Sequence, residues 1–395
     1  MTYDKNIALE VLNVGQGDCI LWKPESTCAY YGRNVFFDLG TGKNDVTKYM
    51  DPDKDIHIIL THHDSDHIGG LHYFADKFDK VKEIIVPFYQ NEITLLAKAI
   101  LNLKGMSSSR ECGEYINSLN DIENNQLYLK YLNEQGIFLK FAYQGKYFDK
   151  HLECLNPPFL IDTYNWLYSI DDNRLENVFN ELFTDDFANM LRIYIRAMRN
   201  EMDEFDSEEI RKNYFFIEND NLYDPRVLPG KANFVLDFIF NNIVLLRRFN
   251  YESTRKNMRK IYNKYIKCTH DVSLVFMIYH QKNRILMAGD ASKKVFNRLI
   301  TEGENIEAEY IKIPHHGSKK NIDAGILSAI NPSVAIISHN NRQFGRCKDT
   351  HPHKEVLDML RNGGVRVLLT NDVKKNGIIY MEKKKHQIDK IVTIH

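Results

Sequence analysis

Residues 61–70 read THHDSDHIGG, and this stretch decides the fold because it sets His62, Asp64, Asp66 and His67 within six positions, directly after the apolar run 56–60. An apolar run of that length stopping at Thr61 reads as a buried strand. A tight turn after it would project His62 and Asp64 one way and bring Asp66 and His67 in from the loop. Gly69 and Gly70 let the next helix begin close against that loop. Imidazole nitrogens and carboxylate oxygens bind a divalent ion without the redox liabilities of thiolate. Four candidate ligands exceed what one ion takes here. The expectation is therefore two divalent metal ions, about 3.5–4 Å apart, acidifying a water for ester hydrolysis. A solvated turn whose histidines cap a helix is the competing reading, and the density of the cluster, its glycines and its preceding strand weigh against it.

Working outward, five further strings carry candidate chemistry: LNVGQGDCIL at 12–21, FFDLG at 36–40, MAGDAS at 287–292, KIPHHGSKKN at 312–321 and HPHKEVLDMLRNGGVRVLLT at 351–370. In this order, with the 61–70 motif, they resemble the metallo-β-lactamase superfamily, whose signature is His-x-His-x-Asp-His. Asp64 stands where that signature has its second histidine. The resulting His-x-Asp-x-Asp-His variant is similar to the hydrolase domain of ComEC-type competence proteins, a branch associated with DNA degradation. The resemblance covers both ends of the chain and not its middle.

The resemblance implies an α/β fold, an αββα metallo-β-lactamase sandwich, here with helical insertions. It implies metal binding by His62, Asp64, Asp66 and His67, with Asp66 also serving catalysis, and by Asp290 as a carboxylate bridging two ions. Asp290 also reads as a helix N-cap. His270 is a further candidate ligand, with Asp271 as its substitute if the loop register differs by one. One of His315 and His316 should complete the second metal site, since adjacent side chains at a strand end point oppositely. Asp64 hardens the site toward oxygen-preferring ions, so Mn2+ competes with Zn2+.

Around the metals, Ser318 and Lys319 offer a hydroxyl and an ammonium to a phosphate oxygen. His351 and His353 begin a helix over 354–361, where they either cap it or serve substrate contact and proton donation. Asp18 and Asp38 either orient histidines or hold turns. His63, His72, His280, His339 and His386 read as structural or surface residues.

The chain's 395 residues are 43% hydrophobic and 12% aromatic, enough for a sizeable core, and the formal charge of −1 gives no global attraction to nucleic acid. Six cysteines at 19, 28, 112, 154, 268 and 347 form no C-x-x-C pair and read as reduced core residues. Without a cationic and apolar leader or a long apolar window, the expected setting is cytoplasmic with no membrane partner.

Along the chain, β/α alternation is expected over a core of about 1–89, 137–158 and 268–395, with a helical elaboration at 90–136 and a helical insertion at 159–267. The insertion carries an acidic stretch near 201–209. It ends in a basic segment of Arg255, Lys256, Arg259, Lys260, Lys264 and Lys267 interleaved with Tyr262 and Tyr265. That segment either guides a phosphate backbone or is a solvated helical face. The expected function is a metal-dependent phosphodiesterase or nuclease with nucleic acid as substrate. The alternatives are a small-molecule phosphodiesterase acting on a cyclic nucleotide or phosphocholine ester, and a non-catalytic scaffold binding a protein partner through the insertion.

Overall fold

The computed structural model describes residues 7–15, 17–108, 110–159, 171–199, 228–339, 351–370, 378–382 and 391–392, with positions 201, 203 and 206. His386, Cys347 and most of the acidic stretch 201–209 lie outside the described residues. Two compact units are present. The first comprises Met1–Phe88, Ile137–Pro157 and His270–His395, and the second Tyr89–Gly136 and Pro158–Thr269.

The first unit is the two-sheet body. Its strands are β1 (Ile7–Leu12), β2 (Ile20–Trp22), β3 (Asn34–Phe37), β4 (Ile56–Ile59), β5 (Val81–Pro87), β6 (Phe138–Ala142), β7 (Tyr147–Asp149) and β8 (Leu152–Asn156). After the helical unit follow β9 (Val275–His280), β10 (Asn283–Met287), β11 (Tyr310–Lys312), β12 (Val334–Ile337), β13 (Arg366–Leu369), β14 (Ile378–Glu382) and β15 (Ile391–Val392). One sheet has the order β15-β14-β1-β2-β3-β4-β5-β6 and the other β13-β12-β11-β10-β9-β8-β7. In each sheet a run of four strands is parallel, β3 to β6 and β10 to β13.

Central parallel strands such as IHII of β4 and VAII of β12 are short, mostly apolar runs buried on both faces. Between the sheets lies a core that includes Trp22, Phe37, Ile59, Ile85, Phe276, Ile285, Met287 and Ile336. Each such side chain contributes about 1.5–3 kcal/mol by leaving water. The outer face of the second sheet is covered by the helices Lys293–Thr301, Ala324–Ile330 and Lys354–Asn362, whose Val295, Phe296, Ile326, Ile330, Val356 and Leu360 form a second cluster with strand residues. On the outer face of the first sheet, Phe74 packs edge-on to Phe36 at 5.6 Å. The layers are those of an αββα sandwich.

Local differences from the sequence reading have physical causes. The helix after the metal-type loop is a 3-10 helix, Gly69–Lys77, which begins within the 61–70 motif itself. Its first turn presses on neighbouring backbone: a Cβ on Gly69 would stand 2.5 Å from the Thr41 carbonyl carbon, and one on Gly70 2.2 Å from the Leu39 carbonyl oxygen. Asp290 is not the N-cap of the following helix, because Ser292 occupies that position.

The second unit is helical, with Gln90–Leu101, Gly113–Glu134, Asp172–Leu182, Asp185–Arg199, Leu228–Asn241, Ile243–Tyr251 and Arg255–Asp271, the last of these running on into the first unit. Inside it, Tyr89 packs on Phe234 with centroids 4.9 Å apart, and buried Lys231 pairs with buried Glu92 at 3.2 Å. Among the described residues no helix is long and apolar enough to cross a membrane.

Candidate metal centre

The first unit gathers its polar residues where the parallel strands end. Asp38 follows β3, Thr61 and His62 follow β4, Asp290 follows β10, Lys312 closes β11, and Ser338 follows β12. Carboxyl ends of parallel strands converge there because each chain must turn away into a loop at the same edge.

Asp290 sits in the middle. Its Oδ2 lies 3.8 Å from His62 Nε2, 3.9 Å from His270 Nε2 and 3.8 Å from His315 Nε2, while its Oδ1 faces His67 Nε2 at 3.4 Å. On one side, Asp64 Oδ2 approaches His62 Nε2 at 3.4 Å and His270 Nε2 at 3.6 Å. On the other, Asp66 Oδ2 meets His316 Nε2 at 3.2 Å. Groups able to hold a metal ion therefore form on both sides: His62, Asp64 and His270, and His270, Asp290 and His315, against Asp66, His67 and His316. His62, His67 and Asp290 form a group that joins them.

The ring orientations are set from behind. Thr61 donates its hydroxyl to Asp38 Oδ2 at 2.7 Å, so the same oxygen accepts from His62 Nδ1 at 3.1 Å. His67 donates from Nδ1 to Asp38 Oδ2 at 2.8 Å, and His316 from Nδ1 to the Ser338 carbonyl at 2.9 Å. Asn321 donates its amide to the carbonyls of Asp290 and Ala291, which leaves its oxygen to accept from His315 Nδ1 at 3.1 Å. Four imidazoles are thus held through Nδ1 and turn Nε2 inward.

The donor set fits divalent metal. Among the described residues, His62 Nε2, His67 Nε2, His270 Nε2 and Asp290 Oδ1 are buried without a hydrogen-bond partner, a costly arrangement unless a cation satisfies them. Electrostatics agree. Burial would raise the Asp290 carboxyl, but His67, His315 and His316 hold it well below the usual carboxylate range. Burial drives the His315 imidazole down to about 3 despite Asp290, leaving it neutral and able to donate a lone pair. The side chains of Asp64, Asp66 and His315 are 20%, 16% and 25% exposed, so the centre opens to solvent on their side.

His315 and His316 are both turned to the centre. The expectation that they point oppositely assumes extended backbone, whereas their φ values of 47° and 52° are left-handed. Two successive non-glycine residues in that region cost about 1–2 kcal/mol each. The bonds to Asn321 and Ser338 hold them there. Asp271 is drawn off to the Ser292 hydroxyl, while His270, near the end of its helix, is buried at the centre.

Other candidates lie at varying distance from Asp290. His351 stacks on His315 with centroids 5.1 Å apart, and His353 lies 4.7 Å from His351. His353 Nδ1 accepts the Lys319 amide at 3.3 Å. The Lys319 ammonium, half exposed, pairs with Glu355 at 2.7 Å, and the buried Ser318 hydroxyl accepts from the Lys320 amide. His63 is buried beside Asp64, 3.9 Å from its Oδ1, and burial drives it down to about 3. Arg255, Lys256, Arg259 and Lys260 belong to the helical unit, and Arg255 pairs there with Glu114.

Sequence reasoning missed Lys312, Asn321 and Thr61. Lys312 had a visible signal: a lysine inside YIKIP, in a strand otherwise apolar on both sides. Asn321 and Thr61 had none, since their role is to orient other side chains.

A model described as the metallo-beta-lactamase superfamily matches residues 32–97, which span β3 to β5 and the 61–70 motif. A stretch of 101 residues is 34% identical to ComE operon protein 3 of Bacillus subtilis (strain 168). That match covers 25% of this chain and 12% of that protein, so the chain spans only a small part of its relative's length. With the two-sheet fold, these similarities are to a metallo-β-lactamase-superfamily domain and to part of ComE operon protein 3.

Proposed function

We propose, from the premise of a metallo-β-lactamase-superfamily hydrolase, that this protein is a metal-dependent phosphodiesterase cleaving nucleic acid. The observation that carries the reading is the Asp290 carboxylate, whose Oδ2 faces Nε2 of His62, His270 and His315 while its Oδ1 faces Nε2 of His67. His62, Asp64, His270 and His315 would hold one divalent ion, Asp66, His67 and His316 a second, and Asp290 would touch both. Zinc or manganese ions held there supply Lewis acidity toward water and a phosphate oxygen.

The remaining work falls to side chains at the rim. Because His353 Nδ1 accepts the Lys319 amide, its proton resides on Nε2, which has no hydrogen-bond partner among the described residues. That supports His353 as donor to the leaving oxygen, with His351 edge-on beside it to orient or relay. Lys319 and Ser318 are secondary candidates for phosphate contact, since Glu355 and the Lys320 amide already engage them. Nucleic acid is favoured over smaller diesters by the likeness of the His-x-Asp-x-Asp-His motif to ComEC-type hydrolases.

The test incubates metal-stripped protein with single- and double-stranded DNA and RNA, restoring Mn2+ or Zn2+, beside an Asp290→Ala control. Cleavage that requires metal and Asp290 is the expected result. Hydrolysis of bis(p-nitrophenyl) phosphate without polymer cleavage would move the substrate to a small diester. Metal binding with no turnover of either would overturn the enzymatic reading.

A further inference from the structure

The helix Arg255–Asp271 has two faces of opposite character. Met258, Ile261, Tyr265 and Thr269 are buried along one side. Along the other, Lys256, Arg259, Lys260, Asn263, Lys264 and Lys267 are exposed. At 3.6 residues per turn these fall within an arc of about 140° and extend about 16 Å along the axis. Five of the six are cations and none is an acid.

That arrangement works against the helix. Lys256, Lys260 and Lys264 follow one another at i,i+4, where like charges cost a few tenths of a kcal/mol per pair. Lys256 also stands at the positive end of the helix dipole. Glu114 is engaged by Arg255 at 2.6 Å, on the margin of the stripe. Among the described residues, Lys256, Lys260, Lys264 and Lys267 make neither an ion pair nor a hydrogen bond. Flanking the stripe, half-buried Tyr262 packs on half-buried Tyr115 with centroids 5.1 Å apart.

We infer that this face binds the sugar–phosphate backbone of single-stranded nucleic acid. The inference rests on the phosphodiesterase reading and gives its polymer a holding surface within the helical unit. A row of cations with no acid among them complements a repeating phosphate, and an adjacent aromatic pair suits unstacked bases. A lipid surface would call for large apolar side chains beside the cations, and the exposed arc has none. The structure also redraws the segment: Lys264 and Lys267 belong to the stripe, whereas Arg255 is spent on Glu114.

The test measures binding of a fluorescent oligothymidylate 20-mer to the full chain in chelator, by anisotropy across a salt series. A Lys256→Gln/Lys260→Gln/Lys264→Gln/Lys267→Gln variant should bind at least tenfold more weakly at moderate salt. Its plot of log affinity against log salt should be shallower by about 3, at about 0.7 per phosphate contact. A single Lys260→Glu variant should lose about one contact. Glutamine is a good helix former, so circular dichroism and melting should be unchanged.

Equal affinity and slope in wild type and variants would overturn the inference, as would equally tight binding of polyglutamate. Hydrolysis of bis(p-nitrophenyl) phosphate with metal restored is expected to survive all these substitutions. A stripe-independent binder that still hydrolyses the diester sinks this surface and spares the chemistry. Stripe-dependent binding without any hydrolysis does the reverse.

Discussion

Lys312 and Asp18 form an ion pair at the floor of the candidate metal centre, with side chains only 1% and 3% exposed. The ammonium also donates to the Gly289 carbonyl at 3.2 Å and stands 3.9 Å from Asp290 Oδ1. Burial would lower its pKa, but Asp18 and Asp290 reverse that and raise it. The charge therefore persists inside the protein, opposite the Asp18 and Asp290 carboxylates. Lys312→Met leaves buried Asp18 without its ammonium partner, which should cost about 3–5 kcal/mol in denaturant unfolding. An Asp18→Asn/Lys312→Met double variant should recover part of that loss. Strict additivity of the two single losses would show that the pair is not coupled.

His315 and His316 lie on different sides of Asp290, one with His270 and the other with Asp66. His315→Ala and His316→Ala should each lower bound metal while leaving part of it, measured by elemental analysis of protein loaded and then desalted. Complete loss in one variant and none in the other would leave a single ring among the ligands.

Asn321 acts on His315 through its amide oxygen. Asn321→Ala removes that acceptor, frees the tautomer and should weaken metal affinity by about 10–100-fold. Calorimetric titration with Mn2+ or Zn2+ reads this directly. Unchanged affinity would mean that His315 is oriented by something else.

Gly70 has an ordinary backbone and no room. A Cβ there would meet the Leu39 carbonyl oxygen at 2.2 Å, so Gly70→Ala should cost about 1–3 kcal/mol as a rigid overpacking. Gly113→Ala is the control, with nothing within 4 Å of its would-be Cβ. Equal melting temperatures for the two variants would contradict the steric account.

Glu83 predicts an acid limb of stability away from the metals. It accepts from Tyr30 Oη at 2.7 Å, pairs with Lys140 and lies 3.7 Å from His57. Burial would raise its pKa, but His57, Lys140 and Tyr30 bring it down from 4.5 to about 2. A depressed carboxylate stabilises the fold above the unfolded value and loses that contribution as pH falls toward the folded one. Wild type should therefore lose stability between about pH 4.5 and 2, and Glu83→Gln, which starts less stable, should lose less over that window. Parallel pH profiles would remove Glu83 from the account.

Much of the centre was legible because metal ligands are written in residue type and spacing. The string 61–70 carries four candidate ligands, and HHG after an apolar strand marks two more. Orienting residues are another matter. Asn321 reaches His315 with its side chain, and Ser338 holds His316 with a backbone carbonyl, so neither has a residue-type signature. The paired left-handed turn at His315 and His316 was invisible for a similar reason, since its strain is held by those tertiary bonds.

By itself the sequence determined the β/α rhythm, the metal-type chemistry and the helical character of the middle, because each follows from local periodicity and residue type. Only the tertiary structure decided that β14 pairs with β1 across more than 360 residues, and that Asp290 stands between residues from opposite ends of the chain. It also decided that Lys312 is a buried countercharge to Asp18. Those relations depend on which strands become neighbours, and strand pairing is settled by the burial of two whole sheet faces against each other, a quantity no local stretch of sequence contains.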